Sequence, residues 1–293
     1  MRPSFDERPW EMTAVREKAP VASKVTSSSW ACACWAGRII AIALASSREW
    51  LRERLLYVLI GFALLLIGTA LLLGELSVGQ ERRIVLDVGL GAIRVLGIAM
   101  AIVLGVRLLE RELERRTIYV LLTKPVRRWE VLVGKLIGGA FLLLVGVAMM
   151  TAGLVFTLAA VGRAWDEELP LLLPVVFLFW LQFLLTMAIA ILFATFSTAT
   201  LSMLFTLGIV LIGHASREFL QWAEIVRSPV LAGFNRVLYY ALPNMQNLNF
   251  AAAAVHGREL PHSIIGFASA YVGLYLVVVL MLAAVIFHRR ELR

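Results

Sequence analysis

Between Leu169 and Gly213 the chain runs for 45 residues without an Asp, Glu, Lys or Arg. At a rise of 1.5 Å per residue one helix of that length would extend about 68 Å, more than twice the roughly 30 Å hydrocarbon core of a bilayer. The run therefore has to fold back on itself inside a membrane. The polar patch TFSTATLS (Thr195–Ser202) is the natural turn, giving a tight hairpin of spans over 169–193 and 197–213. Composition points the same way. The chain is 60% hydrophobic, 16% charged and has a mean hydropathy of +0.84, whereas about a quarter of a soluble domain is charged.

Four further apolar runs are long enough to cross: 55–73, 84–106, 136–161 and 264–287. The expected fold is an all-α integral membrane protein of six spans, occupying residues 35–293 behind a flexible cytoplasmic tail over 1–34. That tail is polar and mixed in charge, with no apolar core of a secretory signal. Cys32 and Cys34 give no disulfide framework, and without a nearby His they read as structural or incidental. Trp35–Arg54 is too short and too basic to cross and reads as a helix lying in the membrane interface.

Lys and Arg set the orientation. The segment through Arg54 carries nine, Arg107–Lys135 eight and the end after Phe287 three, a total of 20. The opposite side has seven: Arg82, Arg83, Arg163, Arg217, Arg227, Arg236 and Arg258. Both termini are expected in the cytoplasm, and residues 214–263 form the long external connection. There SREFLQWAEIV and LAGFNRVLYYAL carry apolar residues at helical spacing and read as two short amphipathic helices. The net charge of +8 sits beside spans rather than on a basic domain, so nucleic acid is not an expected partner.

Several kinds of chemistry are missing. The sequence has no HExxH zinc motif and no clustered aspartates in a span that could hold Mg2+. His214, His256, His262 and His288 are scattered, the first three expected as solvated or interfacial groups at the outer surface. Val133–Leu136 (VGKL) resembles the end of a phosphate-binding loop. However, Trp129 stands where the first Gly belongs, and Leu136 stands where Ser or Thr would hold Mg2+. The chain is not expected to be an enzyme or to carry a cofactor or metal.

Asp87 and Arg94 are charges inside the second span, two helical turns and about 10 Å apart on one face. They are candidates for a transport pathway or for a contact between subunits. Arg94 should face protein or a wet cavity rather than lipid. Gly89, Gly97, Gly105, Gly134 and Gly138 would permit close helix contact.

The connection ERRTIYVLLTKPVRRWEVLVGK (Glu114–Lys135) has a definite outline. Its flank Glu110–Arg116 extends the second span as a helix, with Glu112 and Arg116 at i,i+4. Ile118, Leu121 and Leu122 form an apolar edge, Lys124-Pro125 breaks it, and a basic corner enters the third span. On charge alone, the loop needs only to set orientation.

These residues resemble the ABC-2-type permeases, the membrane subunits of ATP-binding-cassette exporters. The family's first cytoplasmic loop has an acidic residue, Gly-Thr, two leucines, Pro-Val-x-Arg and a later Gly-Lys. Glu114, Thr117, Leu121, Leu122, Pro125, Val126, Arg128, Gly134 and Lys135 fall into that pattern, with Arg116 where the family usually has glycine. Tyr239–Phe250 (YYALPNMQNLNF) also resembles a subgroup linked to multicopper-enzyme maturation.

The resemblance implies a fold like that of the type V exporters, in a bacterial or archaeal cytoplasmic membrane. It also implies a coupling helix seated on a separate ATP-binding subunit, with ATP and Mg2+ held there and none in this chain. Two copies of each subunit would form the working unit. Glu110, Glu112, Glu114, Thr117, Leu121, Leu122, Pro125 and Arg128 would form the docking element, and Arg127, Arg128 and Lys135 would anchor it to lipid headgroups. The alternative in another class is a membrane scaffold that recruits a cytoplasmic partner and transports nothing.

Overall fold

The computed structural model describes residues 60–61, 63–65, 67–68, 72, 81–114, 128–160, 165–215, 243–258 and 260–289. In chain order the helices are α1 (Glu81–Glu114), α2 (Arg128–Ala160), α3 (Trp165–Ala194) and α4 (Ala199–His214). They are followed by a 3-10 turn (Met245–Leu248), the short α5 (Ala251–Val255) and α6 (His262–Arg289). Among the described residues there is no strand. Among the described residues, four helices are long and apolar enough to cross a membrane: Arg82–Glu110, Leu132–Ala159, Glu168–Ala194 and His262–Ile286. The architecture is that of an all-α membrane protein.

The expected first span lies mostly outside the described residues. The part that is described is helical, and Ala63 joins the core. Ile60, Ala63, Leu64 and Ile67, at helical spacing, line a small gap against Met100 of α1 and Met150 of α2. The tail over 1–34 with Cys32 and Cys34, the interfacial helix over 35–54 and the two amphipathic helices within 216–242 lie outside the described residues.

The long uncharged run divides at its polar patch. α3 ends at Ala194 and α4 begins at Ala199. Ser197 N–H donates to Phe193 O at 3.0 Å and Ser202 N–H to Thr198 O at 2.8 Å. The Phe193 ring meets Phe196 and Phe205 at 5.6 Å each, stapling the two helices at their turn. Pro170 and Pro174 fall in the first turns of α3 and do not interrupt it.

α3 is the hub. It packs against every other described helix, and 83% of its most apolar stretch is buried, against 11% for α6. Phe179, Phe183, Leu178, Leu185 and Met187 are fully buried. α1 closes on α3 through small residues. A Cβ on Gly105 would lie 2.7 Å from the backbone oxygen of Met187 and 2.6 Å from Ala190 Cβ, so this crossing tolerates only hydrogen. Buried hydroxyls satisfy themselves on their own helices. Thr151 donates to Val147 O and Thr186 to Gln182 O, and Ser202 and Thr206 donate to the carbonyls four residues back.

Candidate functional site at the polar end of the bundle

The Arg82–Glu168 pair brings the starts of α1 and α3 together at one end of the bundle, the Arg82 end. Leu108 and Lys135, near the end of α1 and the start of α2, meet at the other. Three chain segments converge on Arg82. Its guanidinium grips the Glu168 carboxylate with two bonds, Nε to Oε1 at 2.5 Å and Nη2 to Oε2 at 2.8 Å. Nη1 donates to the Val255 carbonyl at 3.2 Å. One side chain thus ties α1, α3 and the C-terminus of α5 together. Glu168 is 7% exposed and Arg82 20%, so the paired charges are mostly withdrawn from solvent.

Residues 243–258 form a cap that enters the bundle. Asn244 anchors it: its N–H donates to the Tyr271 hydroxyl at 2.8 Å, and its Oδ1 accepts from the N–H groups of Gln246 and Asn247. Pro243, Asn244, Met245 and Leu248 are buried, and the 3-10 turn packs on both α3 and α4. The cap fits because α4 is short. At 16 residues it covers about 24 Å. Its last residue, His214, meets Gln182, which lies about 21 Å along α3 from Glu168. The cap occupies the depth α4 leaves free, with the backbone of Pro243 against Gly213. Non-helical backbone inside an apolar bundle needs protein around it, and Pro243, Asn244, Met245 and Leu248 are buried here.

His214, expected as a solvated or interfacial group, is half-buried and hydrogen-bonded. Its Nδ1 lies 2.7 Å from the Val210 carbonyl and its Nε2 2.9 Å from Gln182 Nε2. A carbonyl only accepts, so Nδ1 carries the proton. In the neutral ring Nε2 then accepts from the Gln182 amide. Gln182 Oε1 is left without a partner among the described residues. Gln182 is the only Asn or Gln in the 45-residue uncharged run, and that was the sequence signal for this pair.

Beside the cap a pocket of about 500 Å3 runs along α1, lined by Arg83, Asp87, Arg94, Asn249 and His256, with Ile84, Leu90 and Val255 as apolar walls. The structure therefore places Asp87 and Arg94 on one cavity. Asp87 and Arg83 are exposed and Arg94 is half-buried. Arg94 makes no ion pair or hydrogen bond with any described residue. Among the described residues, no cluster of His, Cys, Asp or Glu could hold a metal ion.

The residues expected at the other end are placed only in part. Glu110 is half-buried near the end of α1, Glu112 and Glu114 lie on its last turn, and Arg128 begins α2. Thr117, Leu121, Leu122, Pro125 and Arg127 lie outside the described residues. Lys135 has a different place from the headgroup contact expected of it. It is 3% exposed, and its ammonium donates to the Leu108 carbonyl, joining α2 to α1.

In comparisons with known proteins, no curated protein matches the sequence. The sequence model described as ABC-2 family transporter protein matches residues 12–292. That match spans the helices, the cap and the pocket alike. The chain belongs to the ABC-2 family and is a membrane, permease component of an ABC transporter.

Proposed function

We propose that this chain is the permease of an exporter driven by ATP hydrolysis on a separate nucleotide-binding subunit, docked at residues 107–135. The chain itself holds no nucleotide and catalyses no reaction. Both termini and the 107–135 connection face the cytoplasm, and two permeases pair with two ATP-binding subunits. The observation that carries this reading is mechanical. α1 has 34 residues and α2 has 33, about 50 Å each and well beyond the roughly 30 Å of a bilayer core. Lys135 on Leu108 O binds the two helices to each other next to the connection. A push on 115–127 would enter the bundle through α1 and α2 as one unit, in a rigid-body shift. Glu110, Glu112, Glu114, Thr117, Leu121, Leu122, Pro125 and Arg128 form the docking element in this reading.

The test is co-purification of the chain with an ATP-binding-cassette subunit, followed by ATPase and transport assays in proteoliposomes. Leu121→Asp and Pro125→Ala should retain the folded permease but separate ATP hydrolysis from transport. A permease that recruits a cytoplasmic protein without any ATP-dependent transport would instead be a scaffold. Unimpaired coupling in both variants would remove the docking role.

A further inference from the structure

We propose that the pocket beside the cap binds an anionic amphiphile, its phosphate or carboxylate paired with Arg94 and its apolar part lying on Ile84, Leu90 and Val255 toward Arg83. The charges lead to this. Glu168, the buried acid among the described residues, is already committed to Arg82 through two bonds. The pocket lining then holds two arginines against one aspartate. Asp87 does not cancel Arg94, since no ion pair joins them. A guanidinium at membrane depth costs about 2.5–3.5 kcal/mol on insertion scales unless water or a counter-charge reaches it. A half-buried, unpaired Arg94 on an open cavity has room for that counter-charge.

The lining narrows the ligand class further. Arg83 and Arg94 are eleven residues apart, so the pocket runs about 16 Å along α1. That exceeds a bare phosphate and matches a headgroup with the start of a chain. Asn249 adds a polar wall, and its Oδ1 has no hydrogen-bond partner among the described residues. As a statement about cargo the inference rests on the permease reading above; as a statement about binding it does not. The anion has two possible sources, a bilayer phospholipid or a transported amphiphile.

Native mass spectrometry of the full chain, delipidated in neutral detergent, tests it. The probes are dioleoyl phosphatidylglycerol, dioleoyl phosphatidylcholine and dodecyl phosphate. Wild type should retain phosphatidylglycerol over phosphatidylcholine. Displacement of that lipid by dodecyl phosphate would mark a site open to amphiphiles in general, and resistance to displacement a phospholipid site. Arg94→Gln should weaken anion retention about tenfold, the loss expected for one charge-assisted contact. Arg94→Lys should restore part of it, and Asp87→Asn should strengthen it. Arg258→Gln, an exposed arginine that does not line the pocket, should leave it unchanged. Equal retention of both phospholipids, or an Asp87→Asn protein no better than wild type, would overturn the proposal whatever the fate of Arg94→Gln. Co-purification with the ATP-binding subunit is scored in parallel. Lost anion preference with an intact ATPase partner rejects the pocket assignment alone, and the converse rejects the permease reading alone.

Discussion

Replacing Glu168 by Gln keeps the side chain's size and removes the charge that holds Arg82. Breaking a fully buried pair costs about 3–5 kcal/mol, because the remaining charge is stranded. An exposed pair is worth about 0–1 kcal/mol. With 7% and 20% exposure on the two side chains, the present pair lies between these limits, and we expect a loss of about 2 kcal/mol. Arg82→Gln should cost about 1 kcal/mol more, since it also deprives the Val255 carbonyl of its donor at 3.2 Å. The assay is a double-mutant cycle on reversible unfolding of the purified chain in mixed micelles. The coupling energy should be about 2 kcal/mol, equivalent to a change of roughly 30-fold in the unfolding equilibrium. A coupling below about 0.5 kcal/mol would mean that water reaches both groups and that the clamp adds no stability. Equal losses for Arg82→Gln and Glu168→Gln would remove the bond to Val255 from the account.

Three further outcomes follow from the packing. Gly105→Val should disrupt the α1–α3 crossing and cost more than about 2 kcal/mol, because the Met187 backbone cannot move aside; wild-type thermal stability in detergent would contradict that close approach. Lys135→Met should leave the fold assembled but loosen α1 from α2, so that spin labels placed near residues 108 and 135 report a broadened distance distribution, whereas an unchanged distribution would show that apolar packing alone holds the helices there. Gln182→Leu should cost about 1 kcal/mol by removing the donor to His214 Nε2, and a stability gain would mean that the orphaned Gln182 Oε1 outweighs the bond.

Much of the bundle was readable in the sequence because lipid leaves a chain few options. A 45-residue run without charge must turn, and Thr195–Thr198 is where it does. The length of α1 was signalled by Glu110–Arg116, charges that continue a helical pattern past the apolar stretch, whereas the start of α2 at Arg128 was not. Side-chain partners were less readable, since they depend on contacts distant in sequence. The segment WDEEL offers three adjacent acids, and only the fold selects the third for Arg82, 86 residues away. Lys135 sits at a span boundary, where a lysine ordinarily reaches headgroups, and nothing local shows that the Leu108 carbonyl faces it. His214 was read as solvated or interfacial because it ends an apolar run, and nothing local showed that its ring meets Gln182 of α3.

The lengths within α1 connect these sites. From Leu108, held by Lys135, to Arg82, held by Glu168, the helix runs 26 residues, or about 39 Å. Pivoting at Leu108 by about 5° would move Arg82 by about 3 Å along that lever, comparable to the full length of its bonds to Glu168. A charge-assisted pair at 2.5–2.8 Å does not stretch that far. A displacement of that size, transmitted along α1 as in the coupling proposed above, would therefore release the clamp in one step and free α5 from Arg82. Spin labels on α1 near residue 82 and on the cap near residue 255, measured with and without a trapped nucleotide state of the ATP-binding subunit, should separate by several ångströms. An unmoved pair during active transport would show that α1 bends along its length rather than pivoting, and the clamp would then be a static brace.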